Sequence, residues 1–262
     1  MPSVIVKRDN LNSLNANYQQ QTLHKPVFLN SVPKCGTHLI RNICRMFVPV
    51  AQQYDNAFIQ IPILKQNLAA FDSSQPKLSW GHLLFSDDSA IALQHTKQIV
   101  IVRDPFSWVL ARARFFLSDT FKGSLEHLKD SKVSVDEVLN MMIFGIHGKA
   151  PTLSEIYTHN AVAWLGTGVA LLKYEDIVKH LKNIDTDDAH SFFLALLSNF
   201  GYQALPNDWK DRVLVGADRE QSGTARENLA GNIAELPDEL SYTQKQLVEF
   251  AAPGLRRILG YV

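Results

Sequence analysis

The sequence predicts an α/β fold of three layers, with a central parallel β-sheet flanked by helices, and two observations carry that expectation. Four short runs, 27–30, 77–80, 98–102 and 169–173, have the continuous apolar look of strands buried on both faces. Between and after them lie apolar stripes of helical period, and strands that alternate with helices make a parallel sheet, because each parallel pair needs a crossover. At 262 residues and 46% apolar content, the chain can build a core large enough for a single domain spanning 1–262.

Residues 1–24 are rich in Asn and Gln (Asn10, Asn12, Asn15, Asn17, Gln19, Gln20, Gln21) with no sustained period, and predict a loosely packed N-terminal arm. The first strand, Val27-Phe28-Leu29-Asn30, runs into a turn and then a helix whose stripe is Leu39, Ile40, Ile43 and Phe47. The run 98–102 leads to a second helix, with Asp104 suited to cap it, Pro105 to its first turn, and Phe106, Val109, Leu110, Ala113 and Leu117 as its stripe. Ser134 and Glu137 have the spacing of a capping box ahead of an apolar run ending at Phe144. That helix breaks the strand–helix rhythm, so 118–165 is expected to be a helical insertion, interrupted at Gly145, Gly148 and Pro151 and placed to cover an active site. Its Met141, Met142, Ile143 and Phe144 are candidates for an apolar pocket wall, although four neighbours on a helix cannot all face one way. The tail from 241 to 262 reads as one or two closing helices broken at Pro253-Gly254.

The 26 basic and 26 acidic side chains cancel, which argues against a nucleic-acid or anionic-membrane partner. No run approaches the roughly 20 apolar residues of a membrane span, and the start lacks a signal-peptide pattern, so a cytoplasmic protein is expected. Cys35 and Cys44 are expected as free thiols.

The first strand and the helix after it are joined by Ser31-Val32-Pro33-Lys34-Cys35-Gly36-Thr37-His38. A helix start offers backbone N–H groups and the positive end of the macrodipole to an anion; Gly36 allows close approach and Lys34 adds a point charge. The nucleoside triphosphate loop G-x-x-x-x-G-K-[ST] is matched poorly, since Ser31 stands at its first Gly and Thr37 at its Lys. The segment Pro33-Lys34-Cys35-Gly36-Thr37 instead resembles the P-K-S-G-T loop of the sulfotransferases that use 3′-phosphoadenosine 5′-phosphosulfate (PAPS), a P-loop-like α/β family. Cys35 replaces the usual Ser. The resemblance implies that Lys34, Cys35, Gly36, Thr37 and His38 hold the 5′ end of the cofactor, with Lys34 stabilising the departing phosphate oxygen, and that no metal is needed.

Three further points fall in the family's order. Arg103-Asp104-Pro105 resembles its R-D-P motif, which implies that Arg103 binds the 3′-phosphate. The Ser expected eight residues on is Ala111, so Ser107 or Arg114, on the same helical stripe, is the expected substitute. Tyr174-Glu175-Asp176 resembles the family's Y-E-D, implying that Tyr174 lies near the adenine. Gln221-Ser222-Gly223-Thr224, with Arg219 or Arg226, stands where the family has a basic glycine loop over the 3′-phosphate; Ser222 and Gly223 are the candidates, and the family's Trp is missing.

His82 follows the run 77–80, so it should emerge at the same sheet edge as Lys34 and is the expected base, as the resemblance also implies. Cys35, a thiol at a helix start beside Lys34, is a candidate for a lowered pKa and redox-sensitive binding, with a small buried stand-in for Ser as the alternative. The implied activity moves a sulfuryl group from PAPS to the hydroxyl or amine of a small-molecule, lipid or carbohydrate acceptor and leaves PAP. Two other classes remain open: a nucleotide-dependent phosphotransferase, and a non-catalytic sensor of PAP.

Overall fold

The structure is a computed structural model that describes residues 3–4, 8–118, 121–123, 126–129, 133–222 and 236–262. Four strands, β2 (Val27–Ser31), β3 (Leu78–Gly81), β4 (Lys97–Val102) and β6 (Ala170–Lys173), form an all-parallel sheet in the order β3-β2-β4-β6. A separate antiparallel pair joins β1 (Ser3–Val4) to β5 (Phe121–Lys122). The helices in chain order are α1 (Leu11–Asn15), α2 (Thr37–Arg45), α3 (Asp87–Leu93), α4 (Pro105–Phe116), α5 (Val135–Phe144), α6 (Leu153–Asn160), α7 (Tyr174–Lys182), α8 (Asp187–Ser198), α9 (Trp209–Ala217), α10 (Tyr242–Ala251) and α11 (Leu255–Ile258). The α/β architecture is the one expected, and each sheet strand agrees with its sequence run to within one residue at either end.

Burial explains why those runs could be read. Every residue of β2 and β3, and every residue of β4 after Lys97, is buried. Each of Ile99, Val100 and Ile101 removes a branched side chain from water, worth roughly 1.5–3 kcal/mol. The run 169–173 is a correction: β6 is an edge strand and only its Leu172 is buried, whereas the other edge strand, β3, is covered by Gln53 and Ile59, which bridge to Leu78 and Gly81. Register brings Asn30 level with Gly81, Ser31 with Ile101 and Val102 with Lys173, so the strands end together on one edge of the sheet. The segments leaving that edge begin with Val32, His82, Arg103 and Tyr174.

The N-terminal arm is a second correction. Within residues 8–24, Leu11, Asn15 and Leu23 are buried, and Asn15 Nδ2 donates to the carbonyls of Arg45 (2.7 Å) and Val48 (3.1 Å). The buried Arg45 meets Asp9 at 2.8 Å and Asn12 at 2.7 Å. The Asn-rich composition that suggested looseness supplies amides that satisfy the end of α2.

In the insertion, Ser134 and Glu137 form the expected capping box on α5, and the backbone breaks at Gly145. Arg112 of α4 ties this region down, donating from Nη1 to the Met142 carbonyl (2.8 Å) and from Nη2 to the Pro151 carbonyl (2.7 Å). At the tail, α10 and α11 are separated at Pro253-Gly254, as the sequence suggested.

Candidate active site

The turn between β2 and α2 is held in an uncommon shape. Lys34 (φ 69°) and Gly36 (φ 87°) both lie in the left-handed region, which costs a non-glycine residue such as Lys34 roughly 1–2 kcal/mol. Trp108 of α4 steadies the turn by donating its indole N–H to the Pro33 carbonyl (2.5 Å). Gly36 is fixed by a close approach as well, since a Cβ there would lie 2.5 Å from Cδ2 of Tyr174. The first helical bond runs from the Ile40 amide to the Gly36 carbonyl, and the N–H groups before it belong to the part of a helix that has no partner one turn back. Ser31 Oγ and Thr37 Oγ1 lie 2.6 Å apart across the base of the turn.

Cys35 follows the second of its two readings, the small buried residue. Its amide donates within the turn to the Val32 carbonyl (3.2 Å), its side chain is fully buried, and burial pushes the thiol pKa up against the pull of Arg103. The helix-start effect is outweighed by desolvation, so Cys35 is not an activated thiol but a small buried side chain under the turn. Cys44 is buried too, and both are free.

His82 emerges from β3 beside the turn. Gly81 is required immediately before it, because a Cβ there would lie 2.0 Å from the Ile59 carbonyl oxygen, to which the His82 amide donates (3.0 Å). Nδ1 of His82 is 2.8 Å from the Ser31 carbonyl and 3.0 Å from Ser31 Oγ. A carbonyl can only accept, so Nδ1 carries the proton and Nε2 the lone pair. Burial pulls the imidazole pKa down to about 4, against the Ser31 hydrogen bond, and the charge of Lys34 pulls the same way as burial. The Lys34 ammonium itself lies over the Phe115 ring, 3.1 Å from its centroid.

Arg103 leaves the end of β4 with its guanidinium 4.5 Å from the Tyr174 ring centroid and Nε donating to Ser107 Oγ (2.9 Å). Tyr157 of α6 donates to the Arg103 carbonyl (2.7 Å), and Glu175 accepts from the Asp104 amide (3.0 Å) and from Tyr261 (2.8 Å). Asp104, expected as a helix cap, does accept from the Phe106 amide, and it also pairs with Arg256 through two bonds of 3.1 Å.

These residues border a cleft of about 520 Å³, whose walls include Lys34, Gly36, Thr37, His38, His82, Arg103, Tyr174 and Ser222. Gly223, Thr224 and Arg226 lie outside the described residues. Of the two candidates to replace the hydroxyl missing at Ala111, Arg114 lines the cleft beside Ala111, whereas Ser107 is turned to Arg103. Sequence reasoning missed Asn42 and the end of α9, which also line it; Asn42 Nδ2 donates to the Gln221 carbonyl (2.9 Å) and pins that wall. Three arginines (Arg103, Arg114, Arg219) and Lys34 face one carboxylate, Asp218, in a space that suits a compact polyanion. The donor set therefore fits a ligand that carries several negative charges.

A second pocket, of about 400 Å³, is almost wholly apolar, with Ile61, Leu84, Trp108, Phe115, Phe116 and Ile156 among its walls. The insertion contributes α6 and Pro151 to it, not Met141, Met142, Ile143 or Phe144; Met142 and Ile143 are core and Phe144 is exposed. Lys34 and His82 line both this pocket and the polar cleft. A larger cleft of about 710 Å³ opens near His24, His95 and Lys97, but there the strands begin, and ligands of parallel sheets gather where strands end.

Fold and site together define a class: a parallel α/β protein with an anion-binding turn and a polar and an apolar cleft side by side at the strand ends. More particularly, the chain has the sulfotransferase fold. It is similar in structure to mouse sulfotransferase SULT7A1 complexed with PAP, with a TM-score of 0.57 at 13% identity over 94% of this chain and 88% of that one. Retinol dehydratase in complex with androsterone and the inactive cofactor PAP gives a TM-score of 0.46 at 15% identity, over 75% of this chain and 65% of that one. No protein-family model and no curated protein sequence matches the chain. No helix among the described residues is long and apolar enough to cross a membrane.

Proposed function

We propose that the protein is a PAPS-dependent sulfotransferase acting on a hydroxyl acceptor, with PAPS in the polar cleft and the acceptor in the apolar pocket. The observation that carries this reading is that Lys34 and His82, a cation and a base, line both spaces. The turn amides and Lys34 take the 5′ end of the nucleotide; Arg103, Arg114 and the wall with Arg219 and Ser222 take the 3′-phosphate. PAPS supplies the sulfuryl group and leaves as PAP: the sulfur–oxygen bond to the 5′-phosphate breaks as the bond to the acceptor oxygen forms. His82 Nε2 receives the acceptor proton, while Lys34 neutralises charge on the departing oxygen. Binding a polyanion next to Lys34 offsets the charge that depresses His82 and makes it a better base. Residues 118–165 act as the acceptor-side cap through α6.

The test has two stages. In a thermal-shift assay, PAP and PAPS should stabilise the protein selectively over ADP and ATP; preferential binding of ATP would favour a phosphotransferase. With an acceptor panel, PAPS should then be consumed stoichiometrically with PAP formation. Tight PAP binding without consumption by any acceptor would identify a sensor.

A further inference from the structure

Three arginines are buried among the described residues: Arg45, Arg112 and Arg212. Arg45 is paired with Asp9 at 2.8 Å and Arg212 with Asp208 at 2.7 Å. Arg112, 4% exposed, has no carboxylate partner among the described residues; its hydrogen bonds go to the Met142 and Pro151 carbonyls, and these occupy two of the five N–H donors of a guanidinium. A buried cation without a counter-ion is costly, and here burial pulls its pKa down to about 10. Stacking on Trp108 (5.0 Å to the ring centroid) and Phe116 (5.6 Å) offsets part of that cost but brings no negative charge.

Arg112 lies on the wall of the apolar pocket, whose one carboxylate among the described residues is Glu155. Glu155 is engaged in the α6 cap, its Oε2 accepting from the Thr152 amide (2.8 Å) and hydroxyl (2.9 Å). Among the described residues no carboxylate on the pocket wall is left to answer Arg112, and an acceptor can bring one.

We infer that the acceptor is an apolar alcohol or phenol carrying an anionic group, a hydroxyaryl or hydroxyalkyl carboxylate being the simplest case, and that Arg112 is the residue that selects it. This rests on the proposed sulfotransferase reading and extends it to substrate class. It also disfavours amine acceptors, whose protonated forms would add a cation beside Arg112 in a low-dielectric pocket.

The test compares 3- and 4-hydroxybenzoate and 4-hydroxyphenylpropanoate with their methyl esters at neutral pH, on protein first saturated with PAP (binding) or PAPS (turnover). At least one acid should bind and be sulfated with roughly tenfold or greater advantage over its ester, as a charge-assisted hydrogen bond provides. In Arg112→Met the acid should lose far more kcat/KM than the ester, so that the preference collapses; Arg112→Lys, which keeps the charge, should recover part of it. Equal or better use of the esters by the wild type, failure of every acid to bind the PAP complex, or a preference that survives Arg112→Met would overturn the inference. The wild-type comparison decides even where a variant fails to fold. Absence of PAP binding in the first step would instead signal failure of the underlying reading, so the two failures are told apart.

Discussion

His82 can accept a proton only through Nε2, because Nδ1 is held against the Ser31 carbonyl at 2.8 Å. In the nucleotide-free protein its pKa is near 4, so it is neutral throughout the physiological range. The pH profile of kcat/KM for PAPS, which reports groups of the free enzyme, should therefore show no break near the ordinary histidine value of 6.5 and fall only near pH 4. Replacing His82 with Gln should lower turnover by about 10²–10⁴-fold while leaving the PAP-induced thermal shift in place. A break at pH 6.5 that disappears in the variant would show that His82 is not held at its depressed value, and turnover unaffected by the replacement would remove it from the role of base. Gly36 makes an opposite kind of prediction. An alanine there needs a left-handed backbone and puts Cβ 2.5 Å from Tyr174, so Gly36→Ala should cost on the order of 1–3 kcal/mol and abolish the PAP-induced shift, because the turn and Tyr174 must separate.

At the scale of elements, the site depends on strand ends that stop level with one another, and the tightest junction is where β3 passes the Ile59 carbonyl. A Cβ at Gly81 would lie 2.0 Å from that oxygen, and backbone cannot yield as a side chain can. Gly81→Ala is expected to destabilise by about 1–3 kcal/mol through overpacking and to lower turnover while PAP still binds, since the displacement falls on His82 and the pocket wall, not on Arg103. Denaturation midpoints and PAP titrations separate the two effects; unchanged turnover would show that the junction does not position His82. The same elements explain what the sequence made legible. β2 and β4 could be read because burial on both faces writes itself as an apolar run, and Arg103 could be found because it directly follows β4, as His82 follows β3. β6 was misjudged because what covers an edge strand's outer side, as Gln53 and Ile59 cover β3, is a property of the whole fold, which no local composition encodes. Arg112 was invisible for a related reason: nothing in a helix sequence distinguishes a buried guanidinium bonded to distant carbonyls from a solvated one.

For the whole molecule, the misread N-terminal arm and the candidate base make one linked prediction about acid stability. Residues 8–24 look polar and loose in sequence, yet Asp9 neutralises the buried Arg45, and this pairing cannot be seen until α2 is in place. Burial pushes the Asp9 carboxyl up, but its hydrogen bond to Arg45 and the charges of Arg45 and Arg41 outweigh that and leave it below its ordinary value. A depressed carboxylate stabilises the fold above its unfolded pKa of about 3.8, and that stability is lost as pH falls further, through the folded value. His82 acts at higher pH. Its folded pKa of about 4 lies below the unfolded 6.5, so as pH drops between these values the unfolded chain binds a proton that the folded one does not, and stability declines. Loss of stability on acidification should thus come in two windows, one between about pH 6.5 and 4 and the other below about pH 3.8. Denaturant midpoints measured across pH should show the first decline flattened in His82→Gln, with the second unchanged. Asp9→Asn should be destabilised at neutral pH by roughly 3 kcal/mol, because it leaves Arg45 without its carboxylate, and its second decline should be smaller, with the depressed capping carboxylates Glu137 and Glu155 among the groups that supply the rest. A first decline that persists without His82 would mean that the imidazole is not held in the environment from which its role as base follows.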